Sequence, residues 1–275
     1  MLNRVKGIHM QKNFDSQRSG TGTKEWADTN FNITEGCRNN CLYCYAAQMA
    51  ARFKRRERDL WQDEVLTPNA FITKTPKRTG VVMFPSTHDI TPANVHDYSR
   101  VAAQMLAAGN QLLITSKPRI EVIRLLMRDL APWKEQILFR FTIGALNESV
   151  TAFWEPGAPT PQERLEALQA AFDAGFRTSI SIEPMLGGVD EAIHVVHKVS
   201  PCITDTIWIG KMNGGKSRVP AEYHYAVDKI EYQQRDTEIL RLVEILGKLP
   251  EVRWKDSIQK VIRKYAGITA KMVIR

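Results

Sequence analysis

No stretch of eighteen consecutive apolar residues occurs anywhere in this 275-residue chain, so nothing in it reads as a membrane-spanning helix. The opening Met1-Leu2-Asn3-Arg4-Val5-Lys6 lacks the apolar segment of a secretory signal, and a cytoplasmic protein with no membrane association is expected. Cysteine is scarce. Of four in all, three crowd between Cys37 and Cys44, the wrong distribution for an extracellular disulfide framework and a suitable one for a metal or redox site in a reducing compartment. No second cysteine cluster exists to host an auxiliary centre, and no internal repeat appears beyond a βα unit. Acidic residues fall short of basic ones, 30 against 38, leaving a formal charge of +8. That excess attracts anionic partners at long range, nucleic acid among them, and carries no information about fold.

What is present is alternation. Short β-rich runs at Asn30–Thr34, Val81–Phe84, Gln111–Thr115, Ile137–Ile143, Thr178–Ile182 and Thr206–Ile209 are separated by amphipathic stretches near Leu42–Arg58, Asn94–Ala108, Arg119–Leu130, Pro161–Ala174 and Asp190–Val199, with Asp236–Lys248 after the last. Six strands alternating with helices predict a parallel sheet in the α/β class, a partial (β/α)6 TIM-like barrel. The segment from Pro161 is the clearest helix: Thr160 suits the N-cap, Pro161 the first turn, Glu163 completes a capping box and Gly175 suits the left-handed C-terminal position. Leu165, Leu168 and Phe172 share one of its faces. Residues 1–27 read as a polar N-terminal arm, 28–213 as the barrel, and 214–275 as an irregular insert (214–235) followed by a C-terminal helical extension.

The cysteines stand as Cys37-Arg38-Asn39-Asn40-Cys41-Leu42-Tyr43-Cys44, a C-x3-C-x2-C loop between the first strand and a helix. Closely spaced thiolates on a tight loop suit an iron–sulfur cluster or zinc. A closed structural zinc site needs a fourth ligand, and Cys202 reads more simply as a small buried hydrophobe. Three ligands for four irons leave one iron open for chemistry.

This loop, with an aromatic residue before its third cysteine and a βα repeat around it, resembles the radical S-adenosylmethionine (SAM) superfamily. The resemblance implies a [4Fe–4S] cluster on Cys37, Cys41 and Cys44, S-adenosyl-L-methionine chelated by the open iron, reductive cleavage to a 5′-deoxyadenosyl radical, and abstraction of a substrate hydrogen. It also implies a reductant such as flavodoxin or ferredoxin. A narrower likeness over roughly residues 34–188 is to the spore-photoproduct-lyase-like branch. It is carried by Cys41-Leu42-Tyr43-Cys44-Tyr45, by Ser86-Thr87-His88-Asp89-Ile90, and by Phe139-Arg140-Phe141-Thr142 through Glu155-Pro156-Gly157 to Glu163-Arg164. Lyases of that branch have a hydrogen-donating cysteine where this chain has Ser86, a far poorer hydrogen-atom donor, so thymine-dimer repair is not expected.

Residues at the C-terminal ends of barrel strands converge on one rim. Here they are Ser86, Thr87, His88 and Asp89 after the second strand, Lys117 after the third, Asn147, Glu148 and Ser149 after the fourth, Glu183 at the end of the fifth, and Lys211 and Asn213 after the sixth. The resemblance implies that Ser86, Thr87 and His88 contact the SAM methionine, that Tyr43 meets adenine, that Glu148 and Ser149 bind the ribose, and that Tyr45 lies near the radical path. Lys117 suits the SAM carboxylate, or is a solvated lysine. Glu183 sits in an apolar strand, where an unpaired carboxylate is costly, and is expected to face a polar cavity. Lys211 and Asn213 flank a glycine-rich turn that either brings backbone close to a ligand or is a bare turn. Asp89 or Thr91 reads as a helix cap.

A basic run, Lys54, Arg55, Arg56 and Arg58, continued by Lys74, Lys77 and Arg78, either forms a solvated helix end or presents a basic face for nucleic acid beside the barrel mouth. The leading reading is a radical SAM enzyme of lyase or transferase type on nucleic acid or another anionic substrate. The alternatives are a non-catalytic metal-bearing nucleic-acid-binding module, and a plain barrel enzyme with structural cysteines.

Overall fold

The computed structural model describes residues 20–68, 70–71 and 75–272. Strand β1 (Thr29–Asn30) leads through the cysteine loop to α1 (Tyr45–Arg52), followed by β2 (Val81–Met83), α2 (Val95–Ala107), β3 (Gln111–Ser116) and α3 (Ile120–Leu130). Next come β4 (Ile137–Thr142), α4 (Glu148–Trp154), α5 (Pro161–Asp173), β5 (Arg177–Ile182), α6 (Gly188–Val199) and β6 (Ile207–Ile209). The chain then runs through α7 (Gly215–Arg218), α8 (His224–Gln233) and α9 (Asp236–Leu246) to β7 (Val252–Trp254) and α10 (Asp256–Met272). All seven strands are parallel, and their spatial order is their chain order. A sheet wound in one direction with helical crossovers curls into an arc, here a partial TIM-like barrel.

Period-2 alternation divides each strand between two environments. Leu112 and Ile114 of β3, Ile137, Phe139 and Phe141 of β4, Ile180 and Ile182 of β5, and Ile207 and Ile209 of β6 join the helices in the main core. Each such side chain contributes about 1.5–3 kcal/mol by leaving water. The opposite face begins apolar, with Val81, Met83, Leu113, Leu138 and Trp208 packed around Trp26. It then turns polar towards the C-terminal ends, where Thr115, Thr142 and Ser181 face a cavity. Between these layers lies a fully buried Arg140, its Nε donating to Ser179 Oγ at 2.9 Å and its guanidinium 5.0 Å from the ring of Trp26 and 5.5 Å from that of Trp208.

Residues 22–26, just before β1, clasp the two ends of the arc together. Lys255, just after β7, donates to the Gly22 carbonyl at 2.9 Å, pairs with Glu25 at 3.1 Å and lies 4.1 Å from the Trp26 ring. Glu25 in turn accepts from the Asp256 amide at 3.2 Å.

The sheet has seven strands where six were expected. β7 escaped notice because it is three residues long and buries only Val252. The run expected as one strand over Asn30–Thr34 is split. Thr29–Asn30 joins the main sheet, whereas Thr34–Glu35 turns away to pair antiparallel with Val65–Leu66. The break is held by Asn32, whose side chain bonds Ser86, and by Ile33, whose amide donates to Tyr98 Oη at 3.4 Å. The first helix ends at Arg52 rather than Arg58, because Lys54 takes a left-handed φ of 53°. Residues 214–235, expected to be irregular, hold α7 and α8. In α5, Thr160 caps as expected, accepting from the Glu163 amide at 3.2 Å, and Gly175 has φ +73°. Glu163, however, accepts from the Ile120 amide at 3.1 Å instead of closing a capping box, and the buried stripe runs through Arg164, Ala167, Leu168 and Ala171. Of the expected arm, residues 1–19 lie outside the described residues, as does Lys74.

Candidate active site

A cavity of ≈ 1130 Å³ opens at the C-terminal ends of the strands, lined on one side by Cys37, Cys41 and Cys44. The cysteine loop is pinned from three directions. Gly36, at φ +96°, passes so close to the 61–63 turn that a Cβ there would stand 2.2 Å from the Asp63 carbonyl oxygen, and the Cys37 amide donates to Trp61 O at 2.7 Å. Gly157 approaches from the α4–α5 connection, where a Cβ would stand 2.4 Å from Arg38 O. Arg58 donates to the Cys41 carbonyl at 3.0 Å and to Asn40 Oδ1. Cys44 is the N-cap of α1, its Sγ accepting from the Ala47 amide at 3.4 Å.

Beneath the loop runs a buried chain of charges. Asp89 takes the Lys117 amide at 2.6 Å and Ser116 Oγ at 3.2 Å on one oxygen, and Asn39 Nδ2 at 2.8 Å and Cys37 Sγ at 3.8 Å on the other. Lys117 Nζ lies 3.5 Å from Asp89 and 3.9 Å from Glu155. Glu155 accepts from the Tyr43 hydroxyl and pairs with Arg164, both of these acids and bases being fully buried. Burial alone would raise the Asp89 carboxyl, but Lys117 and the donors around it outweigh that and hold it below the usual range. Burial would likewise pull Lys117 down, and Asp89, Cys41, Tyr43 and Glu155 hold it up instead. Lys117 is thus neither a solvated lysine nor a free cation: it is committed to two carboxylates.

Burial pushes the Cys41 thiol up to about 12 and Cys37 well above its ordinary value, so these sulfurs keep their protons until a metal displaces them. The donor set fits an iron–sulfur cluster. Its lining offers three cysteine thiols and no fourth, and both nitrogens of His88, the imidazole in the lining, are occupied by Thr87 Oγ1 (2.9 Å) and the Tyr98 hydroxyl. Among the described residues no three His, Cys, Asp or Glu side chains converge on a single metal ion. A polynuclear cluster asks each thiolate to reach a different metal atom.

Of the residues expected at the rim, Tyr43, Tyr45, Ser86, Thr87, His88, Lys117, Glu183, Lys211 and Asn213 all line the cavity. Glu148 and Ser149 do not: they are exposed on the first turn of α4, capped by Asn147. Tyr45 donates to the Ser86 carbonyl at 2.6 Å, while Asn32 clamps Ser86 by donating to Oγ at 3.0 Å and accepting its amide at 2.7 Å. Glu183 pairs with Lys255 at 3.4 Å, and burial still holds its carboxyl above the usual range despite that lysine. The basic run stands apart from the cavity. Arg56 donates to the Leu60 and Asp63 carbonyls, both at 2.8 Å, so it and Arg58 shape the loop rather than form a free basic face. Cys202 is half-buried, not buried, and remote from the other thiols. Sequence reasoning assigned no role to Asn32, Glu155 or Arg164 and read Asp89 as a cap. The signal was there for two of them, in the stretch from Glu155 to Arg164 already singled out by resemblance.

Burial depresses His88 to about 4 from an ordinary 6.5. Between those values the unfolded chain binds a proton that the folded chain refuses. The corresponding stability is therefore complete above pH 6.5 and drains away as pH falls towards 4, about 3.5 kcal/mol in all at roughly 1.4 kcal/mol per unit. Urea titrations at stepped pH should show this acid limb, and His88→Leu should flatten it. An unchanged limb in the variant would remove His88 as its source.

A curled parallel sheet with a three-thiol loop at its C-terminal rim defines a class, the (β/α) barrel enzymes that hold a reactive metal centre. Residues 31–198 match the Radical SAM superfamily, and the chain belongs to it. That family uses a [4Fe–4S] cluster and SAM. A protein of Acidianus two-tailed virus, ORF301, is 30% identical over 172 residues, 58% of this chain and 56% of the viral one. Among solved structures, a spore photoproduct lyase variant with dinucleoside spore photoproduct superposes with a TM-score of 0.54 at 15% identity, over 90% of this chain and 79% of that one. SuiB of Streptococcus suis bound to S-adenosylmethionine superposes at 0.51 and 9% identity, over 82% of this chain and 49% of that one. The chain thus spans about half the length of the viral protein and of SuiB, and at such identities the two structures attest the fold alone. No helix among the described residues is long and apolar enough to cross a membrane.

Proposed function

We propose that the chain cleaves S-adenosylmethionine reductively at a [4Fe–4S] cluster held by Cys37, Cys41 and Cys44, and uses the radical to take a hydrogen atom from an anionic substrate. The observation that carries this reading is the pinned loop of three thiols facing the cavity of a radical SAM barrel. When bound, the cluster would pass an electron from the reductant to SAM, which would part into methionine and the 5′-deoxyadenosyl radical; binding and orientation fall to the chain. Asp89 holds the Cys37 sulfur through its own backbone amide, which donates to Sγ at 3.5 Å, and holds the start of the loop through Asn39. Glu155 orients the Tyr43 ring for adenine. Ser86, Thr87 and His88 form the edge assigned to the methionine end, and Glu183, paired with Lys255, lines the opposite wall. Tyr45, Lys211 and Asn213 fall on the substrate path.

Ser86 Oγ is already held by Asn32, and an O–H bond yields a hydrogen atom far less readily than S–H. The chain is therefore not assigned spore photoproduct repair, and its lyase or transferase type depends on a quencher other than Ser86. A small reductant of the flavodoxin or ferredoxin kind supplies the electron. Anaerobically reconstituted and reduced protein should release 5′-deoxyadenosine from SAM slowly even without substrate, measured by chromatography. Release of S-adenosylhomocysteine alone would refute radical cleavage, and no turnover at all would favour the metal-bearing binding module.

A further inference from the structure

The cavity has two halves. The cysteine loop, Tyr43, the 86–89 edge and Lys117 make one. The other is built by the 21–26 segment, the 211–213 turn, Arg218 and the β7–α10 junction. In this second half every acid is already spoken for. Glu25 and Glu183 share Lys255, and Asp256 pairs with Lys260 at 2.8 Å and Arg263 at 3.2 Å. Three cations remain: Lys24, Lys211 and Arg218 line the cavity and take no ion pair or side-chain hydrogen bond among the described residues.

Arg218 is the most telling. It is half-buried at the end of α7, and a partly desolvated guanidinium with five donors and no acceptor favours an anion beside it. The helix that bears it is docked onto α1, where Gln48 Nε2 donates to Ser217 O at 2.5 Å. Its charge favours ionisation of both Tyr45 and Glu183, so it stands over the cavity between the first helix and the end of β5. Tyr45, 40% exposed, has its hydroxyl tied to Ser86 O at 2.6 Å and so offers a fixed aromatic surface near this cation. Cations interleaved with an exposed, immobilised ring match the chemistry of a nucleotide, phosphate on the first and base on the second.

We propose that this half of the cavity binds a nucleotide unit of the substrate, with its phosphate on Arg218, Lys211 and Lys24 and its base against Tyr45. The inference rests on the function proposed above for its place in the reaction, but not for its test. The probe is a fluorescently labelled single-stranded oligonucleotide, titrated by anisotropy into anaerobically reconstituted full-length protein at stepped salt. Wild-type protein should bind at low salt. Arg218→Ala and Lys211→Ala should each weaken binding about tenfold or more and make the log–log salt slope shallower by about one. Lys198→Ala, on the outer helix α6, should leave both unchanged. Visible cluster absorbance and SAM affinity should persist in all variants, and Arg218→Lys should recover part of the loss, which separates recognition from misfolding. Competition by a mononucleotide as strong as by the oligonucleotide would identify a small nucleotide as the source, and competition by the polymer alone a nucleic acid. Either outcome supports the site. Failure of wild-type protein to bind, unchanged affinity in Arg218→Ala and Lys211→Ala, or loss of SAM affinity in place of oligonucleotide affinity would overturn it. The last would assign these cations to the SAM carboxylate. Deoxyadenosine release reports separately on the radical SAM reading.

Discussion

Anaerobically reconstituted Cys41→Ala protein should lose both the visible thiolate-to-iron absorbance and all 5′-deoxyadenosine formation, whereas Cys202→Ala should keep both. Cys37→Ala and Cys44→Ala should behave like Cys41→Ala. The expectation follows from the donor set: three thiols line the cavity and no fourth thiol or free imidazole stands ready to substitute, since His88 has both nitrogens engaged. Removal of one ligand leaves a second iron open and the cluster exposed to loss. Iron and sulfide analysis beside the spectrum distinguishes a lost cluster from an altered one. A full complement of iron in the Cys41 variant would sink the ligand assignment. Because burial keeps the unmetallated Cys37 and Cys41 thiols protonated, reconstitution should also release protons and run faster as pH rises.

Glu155→Ala is expected to cost about 3–5 kcal/mol of folding stability and to lower the melting temperature by roughly 6–20 °C. This carboxylate is fully buried, accepts from Tyr43, and pairs with Arg164, which is equally buried. Its loss strands the Arg164 guanidinium, whose remaining bonds run to the carbonyls of Pro159 (2.9 Å) and Thr142 (3.3 Å), and removes one of the two acids that balance Lys117. Glu155→Gln keeps hydrogen-bonding capacity without the charge and should fall between Ala and wild type. Urea unfolding of the full chain measures both. A loss below about 1 kcal/mol for the Ala variant would mean that water or a neighbouring acid replaces the carboxylate, and the buried-network account would fail.

The contrast between these two experiments shows what a sequence discloses. The cysteine loop was legible because its chemistry is local: three thiols within eight residues need no tertiary knowledge. The barrel was legible because its period-2 strands alternate with capped helices, and β4 and β5 carry Arg140, Ser179 and Ser181 on one face and large apolar residues on the other. Glu155 was not legible as a site residue, because its partners Tyr43, Lys117 and Arg164 meet it only after α4 folds back under the loop. Lys117 was left between a SAM ligand and a solvated lysine because its two acids, Asp89 and Glu155, are 28 and 38 positions away. Glu148 and Ser149 show the opposite error: they follow a strand, but the cap at Asn147 turns them outward into the first exposed turn of α4. β7 was missed because three residues are too few for periodicity to register. Arg218 lay in a stretch whose helices are short and whose apolar positions are sparse, so nothing in the pattern placed it over the cavity.

The clasp between the N-terminal segment and the β7–α10 junction joins residues 231 and 233 positions apart. Loop closure over that span costs entropy that local βα units never meet, and contacts of such separation form late. The units from β1 to β6 can condense on their neighbours as they emerge, but Lys255 is needed before Glu25 and Glu183 are neutralised and Trp26 is covered. Without that contact the second half of the cavity loses the wall that Lys255 builds against Glu25, Glu183 and Trp26.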